Sequence, residues 1–315
     1  MAHDHCNHEH HDHHHAHDEN LLPSKYEQAF AKYNLHLHDE EVLATVDKLL
    51  ADHLEEYRTP ETFISLLRTI ELTTLKVTDS AESILKMVEK YNDYASNHPD
   101  LPPFATICVY PRFAKIVAES LEVDGTEVAV VTGSFPSAQS FLEVKTVETA
   151  LAIKDGAEQC DMVLSVGSFL SGDYETCADE ISEIKAVCGD KDLKVILETG
   201  ALQTAENIKR ASILAMYAGA DLIKTSTGKI EPTATPLAAY VMCQAIKEYY
   251  QETGRRVGFK ASGGVSTPED ALVYYTIVRE VLGKEWIDAH LFRIGTSSLA
   301  PRLIKAVTGE DVGKF

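Results

Sequence analysis

The sequence predicts an α/β protein, a closed (β/α)8 barrel of the TIM-barrel class, with an N-terminal helical extension and a disordered His-rich tail. Three observations predict it. Eight short β-rich runs recur along the chain, each followed by a polar turn and a longer helical stretch, the rhythm of parallel strands joined by helical crossovers. The eight units span about 240 residues, close to the ~250 that such a barrel typically takes. No Gly-x-Gly-x-x-Gly follows the first run, which counts against an open doubly wound sheet with a dinucleotide site.

In chain order, residues 1–20 are low-complexity and polar, with nothing to bury, so they are expected to be disordered. Residues 21–60 read as a helical extension packed outside the barrel. There Tyr26, Phe30, Tyr33, Val42, Val46, Leu49 and Leu50 recur at roughly helical spacing. Asp39, ahead of Glu40 and Glu41, offers an N-cap with acids in the first turn. The barrel is assigned to 61–315. Its strands are expected at 70–75, 106–110, 127–132, 160–166, 194–198, 221–225, 258–260 and 292–295. Its helices are expected near 80–95, 111–122, 138–155, 172–188, 204–218, 234–252, 267–282 and 299–307.

Composition narrows the function. Of 315 residues, 29 are Lys or Arg and 49 are Asp or Glu, a formal charge of −20. A polyanion is held by basic side chains that displace its counterions, so nucleic acid is excluded as a partner. A hydrophobic fraction of 44% with 25% charged residues is that of a globular chain with a sizeable core. No apolar stretch approaches the ~20 residues of a membrane helix, and no signal-peptide run opens the chain. The six Cys show no CxxC spacing, as expected of unpaired thiols in a reducing compartment. The expected setting is therefore the cytoplasm, with no membrane partner.

Nine of the 14 His lie in the first 17 residues, at His3, His5, His8, His10, His11, His13, His14, His15 and His17. Imidazole and carboxylate donors suit a divalent transition metal such as Ni, Zn, Co or Cu, although the spacing is not that of a structural site. Two readings of the segment stay open, a natural tail and an engineered affinity tag; the interleaved Asp, Glu, Asn and Cys favour a natural tail.

The chemistry-bearing residues sit at strand ends, which face the active site in this fold. Alternation in Asp-Leu-Ile-Lys puts Leu222 and Lys224 on one face and Ile223 on the other. Lys260 of Gly-Phe-Lys-Ala holds the corresponding place on the next strand. Neighbouring strands are about 4.8 Å apart, so burial and a nearby like charge both push at least one of these lysines toward neutrality. A neutral lysine attacks a carbonyl and forms a Schiff base, which serves as an electron sink for making or breaking the adjacent C–C bond. Asp161 opens the fourth strand and shares a face with Val163 and Ser165, where it could pair with a lysine and relay protons through water. Glu198 is a weaker candidate for the pocket lining. Gly263 and Gly264 after the seventh strand, and Gly295, Ser297 and Ser298 after the eighth, suit a phosphate pocket with backbone N–H groups at a helix N-terminus. Lys229 would add a charge.

Together Leu-Ile-Lys-Thr-Ser-Thr-Gly-Lys, Gly-Phe-Lys-Ala-Ser-Gly-Gly-Val, Cys-Val-Tyr-Pro-Arg-Phe, Lys-Val-Ile-Leu-Glu-Thr-Gly and Phe-Arg-Ile-Gly-Thr-Ser-Ser-Leu resemble the class I deoxyribose-phosphate aldolase family over about residues 63–308. The helical extension resembles the family's longer form. The resemblance implies reversible cleavage of 2-deoxy-D-ribose 5-phosphate to D-glyceraldehyde 3-phosphate and acetaldehyde, a lyase reaction (EC 4.1.2.4) with no cofactor. It implies that Lys224 is the Schiff-base lysine, that Lys260 keeps its pKa low, and that Asp161 works with a water in proton transfer. Gly263, Gly264, Gly295, Ser297 and Ser298 match the phosphate pocket, with Lys229 near its entrance, and Thr225 and Cys108 match pocket residues. The first strand departs from the pattern. Glu71 stands where many members have Asp, and its extra methylene is expected to alter substrate positioning. A homodimer or homotetramer is the expected assembly, with no interface legible. Competing readings are another Schiff-base barrel aldolase acting on a phosphorylated sugar acid, and a metal-binding protein working through the tail.

Overall fold

The computed structural model describes residues 25–315, and the expected disorder and metal binding of the His-rich tail lie outside the described residues. Eight parallel strands form a closed barrel in sequence order. They are β1 Ile70–Thr73, β2 Thr106–Val109, β3 Glu127–Thr132, β4 Gln159–Val163, β5 Asp192–Ile196, β6 Leu222–Lys224, β7 Gly258–Ser262 and β8 Phe292–Thr296, with β1 pairing β8 to close the ring. All eight lie where the β-rich runs predict them, within a few residues at the ends.

The helices are α1 Lys25–Phe30, α2 Asp39–His53, α3 Pro60–Leu67, α4 Ala81–Asn97, α5 Ala114–Ser120, α6 Leu142–Lys154, α7 Val166–Leu170, α8 Tyr174–Cys188, α9 Thr199–Leu202, α10 Ala205–Tyr217, α11 Pro236–Thr253, α12 Pro268–Leu282 and α13 Leu299–Thr308. Their starts are written in the sequence. Thr235, Thr267 and Thr59 cap helices whose first residue is proline, the place where a missing N–H costs nothing. Among the described residues, no helix is long and apolar enough to cross a membrane.

The extension differs from its expected form. The periodic stretch breaks into α1 and α2, and Asp39 does not cap its own helix: His38 holds the N-cap position without a side-chain bond. The Asp39 carboxylate instead accepts the N–H of Ala205 at 2.9 Å and so caps α10, which ties the extension to the barrel. Phe30 adds an edge-on contact with Tyr174 at 5.2 Å, and Val42 and Val46 are buried.

The continuous apolar core lies between sheet and helices. Ile70, Ile107, Val130, Met162, Val195, Ile223, Phe259 and Ile294 belong to it. The inside of the barrel is different: two small apolar clusters, Leu75, Cys108, Ala129 and Val131 in one and Ala138, Val163 and Ile196 in the other, leave its centre to ionisable side chains. Leu222 and Lys224 face inward and Ile223 outward, as alternation requires.

Candidate active site

Six charged side chains converge inside the barrel, all buried: Glu71, Asp161, Lys194, Lys224, Lys260 and Arg293. Strand pairing explains the meeting. Lys224 and Lys260 are direct partners across β6 and β7, Lys260 and Arg293 across β7 and β8, and Asp161 and Lys194 across β4 and β5. Paired residues of a parallel ladder point to the same side of the sheet.

Asp161 is the hub. Its Oδ2 accepts from Lys224 Nζ at 3.0 Å and from Lys260 Nζ at 2.6 Å, and its Oδ1 accepts from Lys194 Nζ at 2.9 Å. It occupies the middle of β4 rather than opening it, and Ser165 does not share its setting. The Ser165 hydroxyl, beyond the strand, donates to Glu180 and accepts from Lys145 Nζ at 3.3 Å. Glu71 forms a second anionic point. Its Oε2 accepts from Lys260 Nζ, and its Oε1 accepts from Arg293 Nη1 at 3.0 Å with Lys194 Nζ at 3.4 Å. Arg293 also donates to Gln159 Oε1 at 3.1 Å.

These charges set the protonation states. Burial pushes Lys224 below the ordinary lysine range; Asp161 pulls it back up, but the charge of Lys260 adds to the downward push, and the net shift is down. Burial also opposes charge on Lys260, but the Asp161 and Glu71 carboxylates outweigh it and hold that amine protonated. Burial would raise both acids; Lys194, Lys224 and Lys260 hold Asp161 well below the usual carboxylate range, and Lys194, Lys260 and Arg293 do the same for Glu71. Four basic groups face two acids, and Lys224 is the lysine whose burial, with Lys260 beside it, lowers its pKa.

Above this cluster opens a cleft of about 300 Å³, bounded by the loops after β1, β6, β7 and β8. Lys224 lines it, together with Lys76, Lys229, Gly263, Gly264, Gly295, Ser297 and Ser298. Lys260, Asp161, Cys108, Thr225 and Glu71 do not. The structure therefore separates the expected site residues into a cleft lining and a buried support. Thr225 Oγ1 is engaged across the β6–β7 junction, donating to Ser262 O at 3.1 Å and accepting from Ser262 N at 3.0 Å. Glu71 stands among the cations rather than against the cleft, so its extra methylene bears on the lysines and Arg293 rather than on substrate.

Cys108 is buried, and burial pushes its thiol up. Its Sγ and a carboxylate oxygen from each of Glu71 and Asp161 lie within 4.8 Å of one another. The two carboxylates of this donor set are engaged by ammonium and guanidinium groups, which leaves them poorly disposed to hold a metal ion.

The glycines have specific reasons. Gly263 and Gly264 have φ of +84° and +76°, which side chains rarely adopt, and a Cβ on Gly263 would sit 2.6 Å from Thr233 Cβ. A Cβ on Gly295 would fall 2.9 Å from Lys260 Cε, so Gly295 makes room for the second lysine besides lining the cleft. The N–H groups of Ser298 and Leu299 already donate to Thr296 Oγ1, at 3.2 and 3.0 Å, so neither is open to a ligand. Those of Gly264 and Ser297 donate to no other group among the described residues. Lys229 Nζ donates to Leu75 O at 2.7 Å and so pins the β1 loop to the β6 loop.

Glu198, with φ +57°, accepts from Thr227 N at 3.1 Å and Thr227 Oγ1 at 2.5 Å. It orders the β6 loop from beneath rather than lining the cleft. Lys194, Arg293 and Gln159 escaped the sequence reading. The signal that could have found the first two is a lone cation inside an apolar run, as in Asp-Leu-Lys-Val-Ile and Phe-Arg-Ile-Gly.

The model of the family described as DeoC/LacD family aldolase matches residues 71–282. A deoxyribose-phosphate aldolase of Homo sapiens is 36% identical over 256 residues, covering 78% of this chain and 80% of its own. One of Mus musculus is 38% identical over 213 residues, covering 67% of each chain. The tetrameric deoxyribose phosphate aldolase of Aeropyrum pernix superposes with a TM-score of 0.63 at 26% identity, covering 83% of this chain and 98% of that one. A barrel with paired inward lysines and a family match spanning most of its strands leads to one assignment: the chain belongs to the DeoC/LacD aldolase family.

Proposed function

We propose that this protein catalyses the reversible aldol cleavage of 2-deoxy-D-ribose 5-phosphate to D-glyceraldehyde 3-phosphate and acetaldehyde through a Schiff base on Lys224. The observation that carries this reading is that Lys224, alone of the six buried charged groups, also lines the cleft. Its Nζ attacks C1 of the open-chain sugar, and loss of water leaves an iminium. As the proton of the C3 hydroxyl is removed, the C2–C3 electron pair moves into the iminium, which forms an enamine and releases glyceraldehyde 3-phosphate. Protonation of the enamine at C2 and hydrolysis of the imine release acetaldehyde and restore the amine.

Lys260, held protonated by two carboxylates, keeps Lys224 from holding its own proton. Asp161 is the acceptor that links the two amines and, through a water at the cleft floor, the reacting carbons. The N–H groups of Gly263, Gly264 and Ser297, with the Ser298 hydroxyl and with Lys229 at the rim, would receive the phosphate, for which local donors suffice whatever the net charge. The same reading carries a homo-oligomer, supported by the tetramer of the Aeropyrum pernix relative, and a cytoplasmic setting, supported by five free buried cysteines.

The test is borohydride reduction in the presence of acetaldehyde followed by peptide mass mapping. An ethyl adduct on Lys224 is expected, together with glyceraldehyde 3-phosphate release from deoxyribose 5-phosphate in a coupled assay. An unmodified Lys224 in an active enzyme would refute the assignment. Pyruvate as a competing donor discriminates the sugar-acid alternative, since Lys76 is a cation at the rim that a carboxylate could use.

A further inference from the structure

Arg293 sits where a further cation is least expected. It is buried on β8, it is the register partner of Lys260 across β7 and β8, and it adds a fourth positive charge to a cluster that holds two acids. Taking a charge out of water opposes folding unless the charge is paired and hydrogen-bonded, and a like charge on the next strand opposes it further. Arg293 does not line the cleft, so contact with substrate does not account for it.

Its guanidinium is held at three points. Nε donates to Ala289 O, and Nη1 donates to Gln159 Oε1 at 3.1 Å and to Glu71 Oε1 at 3.0 Å. Gln159 is fixed in turn, because its Nε2 donates to Glu127 Oε2 on β3. What this anchored group holds is the carboxylate of Glu71, which has two lysines within reach. Glu71 Oε2 takes Lys260 Nζ. Its Oε1 lies 3.4 Å from Lys194 Nζ, yet Lys194 stands closer to Asp161 Oδ1, at 2.9 Å. Asp161 is left with one oxygen, Oδ2, for both Lys224 and Lys260.

We propose that Arg293 is a positioning residue for Lys224: by occupying Glu71 Oε1 it keeps Lys194 on Asp161 Oδ1, so that Lys224 has to share the remaining Asp161 oxygen with Lys260. The inference rests on the Schiff-base role proposed for Lys224, the role in which the proton on that amine bears on catalysis. The charged and titratable groups around the two residues fix the sign of the effect. Lys224 faces Asp161, Lys260 and Cys108. Arg293 shares Glu71 Oε1 with Lys194 of β5, and it neighbours Lys260 of β7 and Asp192 at the start of β5. Without the guanidinium, Glu71 Oε1 is free to draw Lys194 away from Asp161, Asp161 Oδ1 opens to Lys224, and the cluster loses a positive charge. Each of these changes favours the protonated form of Lys224.

The test is trace labelling of the folded, full-length protein with acetic anhydride over a pH series, read on the Lys224 peptide by mass spectrometry. It follows the loss of the Lys224 proton and needs no turnover. In Arg293→Met the limb for Lys224 is expected to move to higher pH than in wild type. In Arg293→Lys, which keeps a charge beside Glu71 but not the planar fork, the limb should stay nearer that of wild type. An Arg293 that only braces the barrel floor would lower stability in both variants and leave the limb in place. Should Arg293→Met not fold, Arg293→Gln, whose amide is still a donor for Glu71, carries the same comparison with Arg293→Lys. The proposal is overturned by an unmoved limb in the neutral variant, or by an equal displacement in Arg293→Lys, which would trace the effect to packing alone. Borohydride trapping with acetaldehyde on the wild-type protein keeps the two readings apart: a missing ethyl adduct on Lys224 refutes the Schiff base, while the labelling limb still decides what Arg293 does.

Discussion

Lys224 and Lys260 are register partners on β6 and β7, and both donate to the same oxygen, Oδ2 of Asp161. One anionic atom cannot hold two cations equally. Glu71 settles the competition by binding Lys260 as well, so that amine keeps its proton and Lys224 is left as the one able to lose it.

A shift in the pH profile follows. A lysine attacks a carbonyl only when neutral, so the rate of iminium formation rises with pH through the pKa of Lys224, which lies below the ordinary value of about 10.4. Lys260→Leu removes the repelling cation while leaving Asp161 in place, so the pKa of Lys224 rises and the limb moves to higher pH. Borohydride trapping of acetaldehyde as a function of pH measures this directly, even if turnover is mostly lost. An unmoved limb would show that Lys260 does not tune Lys224.

Asp161→Asn tests the hub through stability. Removing one partner of a buried ion pair typically costs about 3–5 kcal/mol, and here three lysines lose their shared anion. Because the folded pKa of Asp161 is depressed, its contribution is complete above its unfolded value of about 3.9 and is lost as pH falls through the folded value. Denaturant melts should show a large gap between wild type and variant at neutral pH, narrowing in strong acid. Equal stabilities at neutral pH would mean the lysines do not depend on Asp161.

How much of this was legible depends on the range of the interactions. Strand alternation is local, so Lys224 and Lys260 stood out as cations in apolar runs, and the eight runs showed the barrel. Lys194 carries the same signal but fell at the edge of its expected strand, where a lysine reads as solvent-facing; β5 begins two residues earlier, at Asp192. The depth of Glu71 was not readable, because it depends on how β1 is staggered against β8, which is fixed by closure of the ring rather than by any one strand. Nor did the sequence show that the apolar tail of the β4 run would leave the strand and turn into α7, or that Asp39 would cap α10 across more than a hundred residues of chain.

Gly295→Ala puts a methyl group 2.9 Å from Lys260 Cε. The clash pushes Lys260 off Asp161 and Glu71, and small displacements of groups that act on the reaction centre cost about a hundredfold in rate. Overpacking should lower stability by only about 1–3 kcal/mol. A large loss of kcat in a well-folded variant is the expected outcome; wild-type kcat would show that the close approach of Gly295 is incidental.

Deleting residues 1–19 removes nine His and five acidic residues while leaving every residue of the cleft. The aldolase rate of the shortened protein should equal that of the full chain, and binding of Ni or Zn by calorimetry should be lost. A fall in rate would tie the tail to catalysis and overturn its treatment as a separate metal-binding segment.

Lys76 offers a test of how an acidic protein attracts an anionic sugar. It lines the cleft beside Lys229, and among the described residues neither meets a carboxylate, so two uncompensated cations sit at the mouth of a chain carrying −20. An exposed charge of this kind acts mainly on encounter and on KM, within the screening length of about 8–10 Å at ordinary salt. Lys76→Met should therefore raise KM for deoxyribose 5-phosphate severalfold with little change in kcat, and should flatten the dependence of kcat/KM on ionic strength. Unphosphorylated 2-deoxyribose supplies the control: its kinetics should be unchanged. An equal loss with both sugars would place Lys76 in the architecture of the β1 loop, where its N–H already binds Asp79 Oδ2 at 2.9 Å, rather than in recognition of the phosphate.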